Sequence, residues 1–158
     1  MMRAARLLSM SVLLLGLALL PRAGMALGDH GTADEAKAMA EKAAAYVKEV
    51  GPDKAFAAFN DKANAQFHDR DLYVFVRSMD GNTVAHGANP GMIGHTNLEL
   101  KDPDGKLYNK EMIDLANSKG SGWVDYRWVN PVSKKIEPKS SFIIKAGDYV
   151  VGVGFYKD

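Results

Sequence analysis

Asp80-Gly81 lies between two runs rich in β-branched and aromatic residues, LYVFVRSM (72 to 79) and NTVAHG (82 to 87). This dipeptide is the strongest short-range signal for a two-residue β-hairpin, so it commits the middle of the chain to antiparallel pairing. Three more strands are predicted at 122–129, 135–145 and 148–156, joined through Asn130-Pro131-Val132-Ser133 and Ala146-Gly147. Pro138 has no N–H to donate, which requires a bulge or an open side in the second of them. Helical periodicity is kept apart from these strands. Thr32 and Glu35 have capping-box spacing, and Ala36, Met39, Ala43, Tyr46 or Val47, and Val50 then recur at intervals of three and four until Gly51-Pro52. A helix over 33–50 follows, with a short second one at 53–60 carrying Phe56 and Phe59. Residues 60–70 read as a polar connection. Another helix is predicted at 109–120, with Met112, Ile113, Leu115 and Ala116 inward. Antiparallel strands with segregated helices indicate an α+β domain.

Residues 1–26 are set aside from the fold. MMRAAR is a basic start, LLSMSVLLLGLALL an apolar run, and Gly24-Met25-Ala26 a small-x-small cleavage site, the three parts of a secretory signal. The apolar run is shorter than the roughly 20 residues of a membrane span, so export with cleavage is expected ahead of an uncleaved membrane anchor. A periplasmic or secreted location follows. Removing this segment lowers Lys+Arg from 20 to 17 against 19 Asp+Glu, about −2 in all. A near-neutral chain without a basic stripe is not built for nucleic acid. It has no cysteine, so after export no disulfide staples the fold, and residues 27–158 must hold together by one core.

Two segments exceed what a plain scaffold needs. In GSGWVDYRWVNP (120 to 131), one strand face would carry Trp123, Asp125, Arg127 and Val129, and the other Val124, Tyr126, Trp128 and Asn130. Neither is cleanly apolar or cleanly polar. Residues 88–108, ANPGMIGHTNLELKDPDGKLY, hold several Gly and Pro turn sites and little regular pattern, and long loops of this kind usually serve a function.

The stretch DLYVFVRSMDGNTVAHGANPGMIGHTNLELKDPDGK, followed in order by GSGWVDYRWVNP, PKSSFIIK and GDYVVGVGFYKD, resembles the single-Cache (type 2) extracytoplasmic sensor domain of the PAS-like superfamily. The likeness runs from about residue 33 to the C-terminus. It implies a five-stranded antiparallel sheet over 71–157, a long N-terminal helix packed on it, and a pocket between one sheet face and the loop of residues 88–108. It also implies binding of a small organic anion, most often a short monocarboxylate such as acetate, propionate, pyruvate or lactate. The chain ends at Asp158, directly after the last strand, so the bound state is expected to be presented to a separate sensor kinase, chemoreceptor or transporter. The N-terminal helix is the element that would pair two copies into a homodimer.

On this plan the 122–129 strand is central or near-central, with core on one face and pocket on the other. The ligand-binding residues implied are His86 at the mouth of the long loop, Tyr126 and Trp128, Lys139 with its hydroxyl neighbours Ser140 and Ser141, Tyr73, and Phe142. Arg77, in phase with Tyr73 and Phe75, is the rival cation. His95 and Asn97 read as loop-ordering. The competing reading is a protein-interaction module whose pocket is collapsed around Tyr126, Trp128 and Phe142. No cofactor is expected. The four histidines lack metal-ligand spacing, and a calcium loop from Asp102 would need a glutamate where Ile113 stands. DPDG reads instead as a turn capping the next helix. Without a nucleophile elbow, and with Ser140 and Ser141 on a strand far from His86, no catalytic activity is expected.

The signal assignment makes a direct prediction. Intact mass of protein recovered from an exporting host should correspond to a chain starting at Leu27. A protein that keeps Met1 and stays with the membranes through high-salt washing would establish the anchor instead.

Overall fold

The computed structural model describes residues 30–157, so the signal assignment over 1–26 lies outside them. The elements in chain order are α1 (Ala33–Val50), α2 (Pro52–Asn60), β1 (His68–Asp69), β2 (Leu72–Ser78), β3 (Thr83–His86), α3 (Tyr108–Lys119), β4 (Ser121–Val129), β5 (Ile136–Ala146) and β6 (Tyr149–Tyr156). The five expected strands form one antiparallel sheet in the order β3, β2, β6, β5, β4. A two-residue sixth, β1, adds to β2 through His68 opposite Tyr73 and was not legible in the polar connection. Among the described residues no helix is long and apolar enough to cross a membrane.

Helix α1 starts as its sequence requires. Thr32 Oγ1 accepts from the Glu35 N–H, and the Glu35 carboxylate accepts from the Thr32 N–H at 2.8 Å. Its buried stripe is Ala36, Ala40, Ala43, Ala44 and Val47, with Met39, Tyr46 and Val50 only partly covered. The small residues let the helix axis come close to the sheet, where Leu72, Val74, Val76, Val151 and Val153 meet it. Phe59 of α2 and Phe67 close one end of this layer, edge to face at 4.7 Å.

The opposite sheet face is covered by α3 and the loop before it. Tyr108, Met112, Ile113 and Ala116 of α3 pack on Tyr73, Phe75, Val124, Tyr126, Ile143 and Val150, while Leu115 stays partly exposed. With layers on both sides, β2 is buried at six of its seven residues, which is why it reads as a continuous apolar run. Two expectations need correcting. Strand β4 is an edge strand, paired only with β5, so its α1-side face is left half open and exposes Trp123 and Val129. That accounts for its unsorted faces. The turn at DPDG does not cap α3, whose N-cap Leu107 has no side-chain bond. Asp102 instead accepts from Asp104 and Lys106 within its own turn and from the Arg127 N–H at 3.1 Å, covering the open edge of β4. Pro138 sits opposite Arg127 in unbroken register and just past the end of the β5–β6 ladder, the open side its ring demands.

A second structural carboxylate, Asp71, is fully buried at the start of β2. It accepts from the Gly31 N–H at 2.7 Å and pairs with His30 Nδ1 at 2.9 Å, tying the entry of α1 to the sheet. Thr32→Ala should remove the cap and lower stability by about 1 kcal/mol without altering the fold, read as a shifted urea midpoint with unchanged slope.

Candidate functional site

The face of the sheet under α3 carries a set of side chains that a plain core would not choose. Strand alternation sends Tyr73, Phe75 and Arg77 of β2, Lys139, Ser141 and Ile143 of β5, and Tyr126 and Trp128 of β4 to this side. Lys139 is 1% exposed. Its Nζ donates to the Tyr73 hydroxyl at 2.8 Å and to the Tyr156 hydroxyl at 3.3 Å, and it lies 4.0 Å from the centre of the Tyr73 ring. Tyr156 in turn donates to the Val129 carbonyl. The lysine stem needs space, and β6 provides it. A Cβ at Gly154 would stand 2.4 Å from Lys139 Cε and 2.2 Å from Ser141 Oγ, and one at Gly152 would overlap the Phe75 ring.

Arg77 is 3% exposed on the same face. One guanidinium nitrogen donates to Thr83 Oγ1 at 2.8 Å, and Nε is buried without a partner. Among the described residues neither Arg77 nor Lys139 has a carboxylate within ion-pair distance. Burial pushes the Lys139 ammonium well below its ordinary value, against a weaker opposing pull from Asp71. It lowers Arg77 in the same way.

The His86 ring lies 5.0 Å from that of Tyr73 and 6.4 Å from that of Phe75. Its Nδ1 accepts from the Asn89 N–H at 3.0 Å, which holds the long loop and leaves the ring proton on Nε2 as a donor. Burial, with Lys139 and Arg77 adding to it, takes its pKa down to about 3, so the ring is neutral. Tyr108 stacks on Tyr126 at 4.5 Å, its hydroxyl buried without a partner and pushed up to about 12 by burial. Tyr126 shares a hydrogen bond with Ser141 at 3.0 Å. Among the described residues the inventory is rich in donors, holds two basic side chains, and lacks a matching anion.

A cleft of about 350 Å³ opens to solvent beside this group, between the loop after β3 and the β4–β5 hairpin, with Tyr73, His86, Met92, Trp128, Pro131 and Lys134 on its walls. The loop is held by Asn97, which donates to Thr83 Oγ1 at 2.9 Å and accepts from Asn109 at 2.7 Å, as the loop-ordering reading expects. His86, Tyr126, Trp128, Lys139 and Tyr73 therefore come together. Phe142 does not. It lies on the α1 face, 5.1 Å from the Trp123 ring and beneath Lys37, because alternation turns it and Ser140 away from Lys139. Ser140 donates to Asp125 there. Tyr108, Tyr156 and Asp71 were not found from sequence. Two patterns point to the tyrosines: Tyr108 stands four residues before Met112, and Tyr156 shares parity with Gly152 and Gly154.

A model of the Cache domain matches residues 24–158. The chain belongs to the Cache domain family. Over 91 residues it is 37% identical to the sensor histidine kinase MctS of Rhizobium johnstonii, an overlap of 56% of this chain and 20% of that protein. Over 93 residues it is 31% identical to the methyl-accepting chemotaxis protein McpP of Pseudomonas putida, 58% of this chain and 17% of that protein. The aligned stretches thus span at most about a fifth of the length of those relatives. A solved periplasmic sensor domain of a chemotaxis protein superposes with a TM-score of 0.62 at 32% identity, covering 79% of this chain and 90% of that one. A Cache chemosensory domain solved for its carboxylic acid recognition superposes with a TM-score of 0.70 at 22% identity, over 79% and 92%, a likeness of fold.

Gly154→Ala should evict the Lys139 stem and cost about 1–3 kcal/mol, as overpacking does. Phe142→Leu should lower the melting temperature by a few degrees yet leave any ligand affinity unchanged, since it touches only the α1 face.

Proposed function

We propose that this Cache domain binds a short monocarboxylate on the sheet face between Arg77 and Lys139. The observation that carries the reading is that a buried arginine and a buried lysine share one face with no carboxylate in ion-pair range among the described residues. Burying basic head groups without an anionic partner is costly, and a small anion supplies that partner for both. Lys139 Nζ, the Arg77 guanidinium, His86 Nε2 and the Tyr108 hydroxyl supply donors, while Tyr126 and Trp128 shape an apolar wall. Support from outside the chain is coarser: relatives are a sensor kinase and a chemoreceptor, and a neighbour of the same fold recognises carboxylic acids. On that footing the domain is an extracytoplasmic sensor whose bound state is passed to a kinase, chemoreceptor or transporter.

The competing reading, an interaction module, draws on the Tyr108–Tyr126 stack, which fills part of the interior. Calorimetry separates the two. The best small ligands gain about 1.5 kcal/mol per heavy atom, so acetate should bind no tighter than some tens of micromolar, with propionate, pyruvate or lactate free to bind more tightly. Lys139→Met, which keeps the stem and removes the charge, should weaken binding by about 1.5–3 kcal/mol. Its melting temperature without ligand should hold or rise, because an apolar end replaces a buried polar head group. Silence across the carboxylate panel would favour the module.

A further inference from the structure

We infer that this site takes up its carboxylate together with one proton from solvent, which comes to rest on Lys139 Nζ, so that the domain responds to acidity as well as to the anion. The inference rests on the carboxylate reading above and deepens it. Three geometric facts carry it. Lys139 is sealed from water, and among the described residues its hydrogen-bond partners are the hydroxyls of Tyr73 and Tyr156, which satisfy a neutral amine as well as an ammonium. The nearest buried acid, Asp71, has its carboxylate engaged by Gly31, His30 and, more distantly, Asn130. The second cation on the face, Arg77, cannot discharge, so of the two it is the lysine that gives up its proton while the site is empty.

The groups facing this amine from each neighbouring element leave it as the titrating one. From β2 and the residue before it come Tyr73, Arg77 and Asp71, from β3 His86, from α3 Tyr108, from β4 Tyr126, and from β6 Tyr156. Burial raises all four phenols, so they stay protonated. His86 is held neutral. Burial likewise depresses Lys139, and an anion placed beside it reverses that by favouring the charged form. No bond in the ligand changes. A solvent proton joins the amine nitrogen, and the new ammonium pairs with the carboxylate. In sign, binding that takes up a proton strengthens as pH falls, over the window between the depressed value and the ordinary lysine value of 10.5.

The test is titration calorimetry of the purified chain with acetate, propionate, pyruvate and lactate, at one pH within that window, in buffers of differing ionisation heat. The expected slope is an uptake approaching one proton per ligand, with affinity falling by up to tenfold per pH unit as pH rises. A buffer-independent heat overturns the inference and leaves the carboxylate reading intact. No heat with any of the four acids overturns both. Trifluoroacetate locates the proton: if the ligand carried it, this much stronger acid would bind far more weakly than acetate, and that result also overturns the inference. The His86 ring resonances should remain those of neutral imidazole with and without ligand. Uptake persisting in a folded Lys139→Met variant would place the proton elsewhere and defeat the assignment.

Discussion

Everything on the α3 side of the sheet is arranged around the burial of one lysine side chain. A lysine stem laid across a central strand needs a strand without side chains beneath it, and Gly154 meets that need. Its head group needs oxygens, and Tyr156 on the adjacent β6 and Tyr73 on β2 beyond it provide them. Those rings need a lid, which α3 and the loop after β3 supply, and the loop is tied down through His86, Asn89, Asn97 and Asn109. Each layer answers a demand made by the one below.

The two faces of the sheet divide the labour. The α1 side is an alanine-rich helix lying close on valines, with Phe59 and Phe67 sealing the end, and its buried cluster is apolar. The α3 side is looser in chemistry: phenols, an indole, an imidazole and two cations share it. A protein built only for stability would not bury Arg77 and Lys139 together, since apolar residues of similar size would cost less. Their retention on one face is the physical reason to read that face as a binding surface.

Much of this was legible in the residues. The Asp80-Gly81 hairpin, the Thr32–Glu35 cap and the final meander rest on local chemistry, and the structure places them within a residue or two of where patterns predict. The PKSSF stretch was read as a block. Strand parity splits it, sending Lys139 and Ser141 one way and Ser140 and Phe142 the other, so the face that Phe142 takes was legible in the alternation. The edge position of β4 was harder, because strand order depends on which distant runs pair. Tyr156 comes opposite Lys139 through the β5–β6 register, whereas Asp71 nears it only through tertiary packing. A two-residue β1 inside a polar stretch leaves no periodic trace.

The glycines of β6 carry one more implication. Because Gly154 has backbone, hydroxyl and lysine stem all within contact of an added carbon, the floor of the site has no room for substitution and is the same whatever molecule rests on it. The walls are of the opposite kind: Met92, Pro131 and Lys134 belong to irregular segments whose backbone is not committed to a ladder. Diversification of such a domain is therefore confined by its architecture to the roof, where a residue can be exchanged without breaking strand pairing, while the floor is inherited whole.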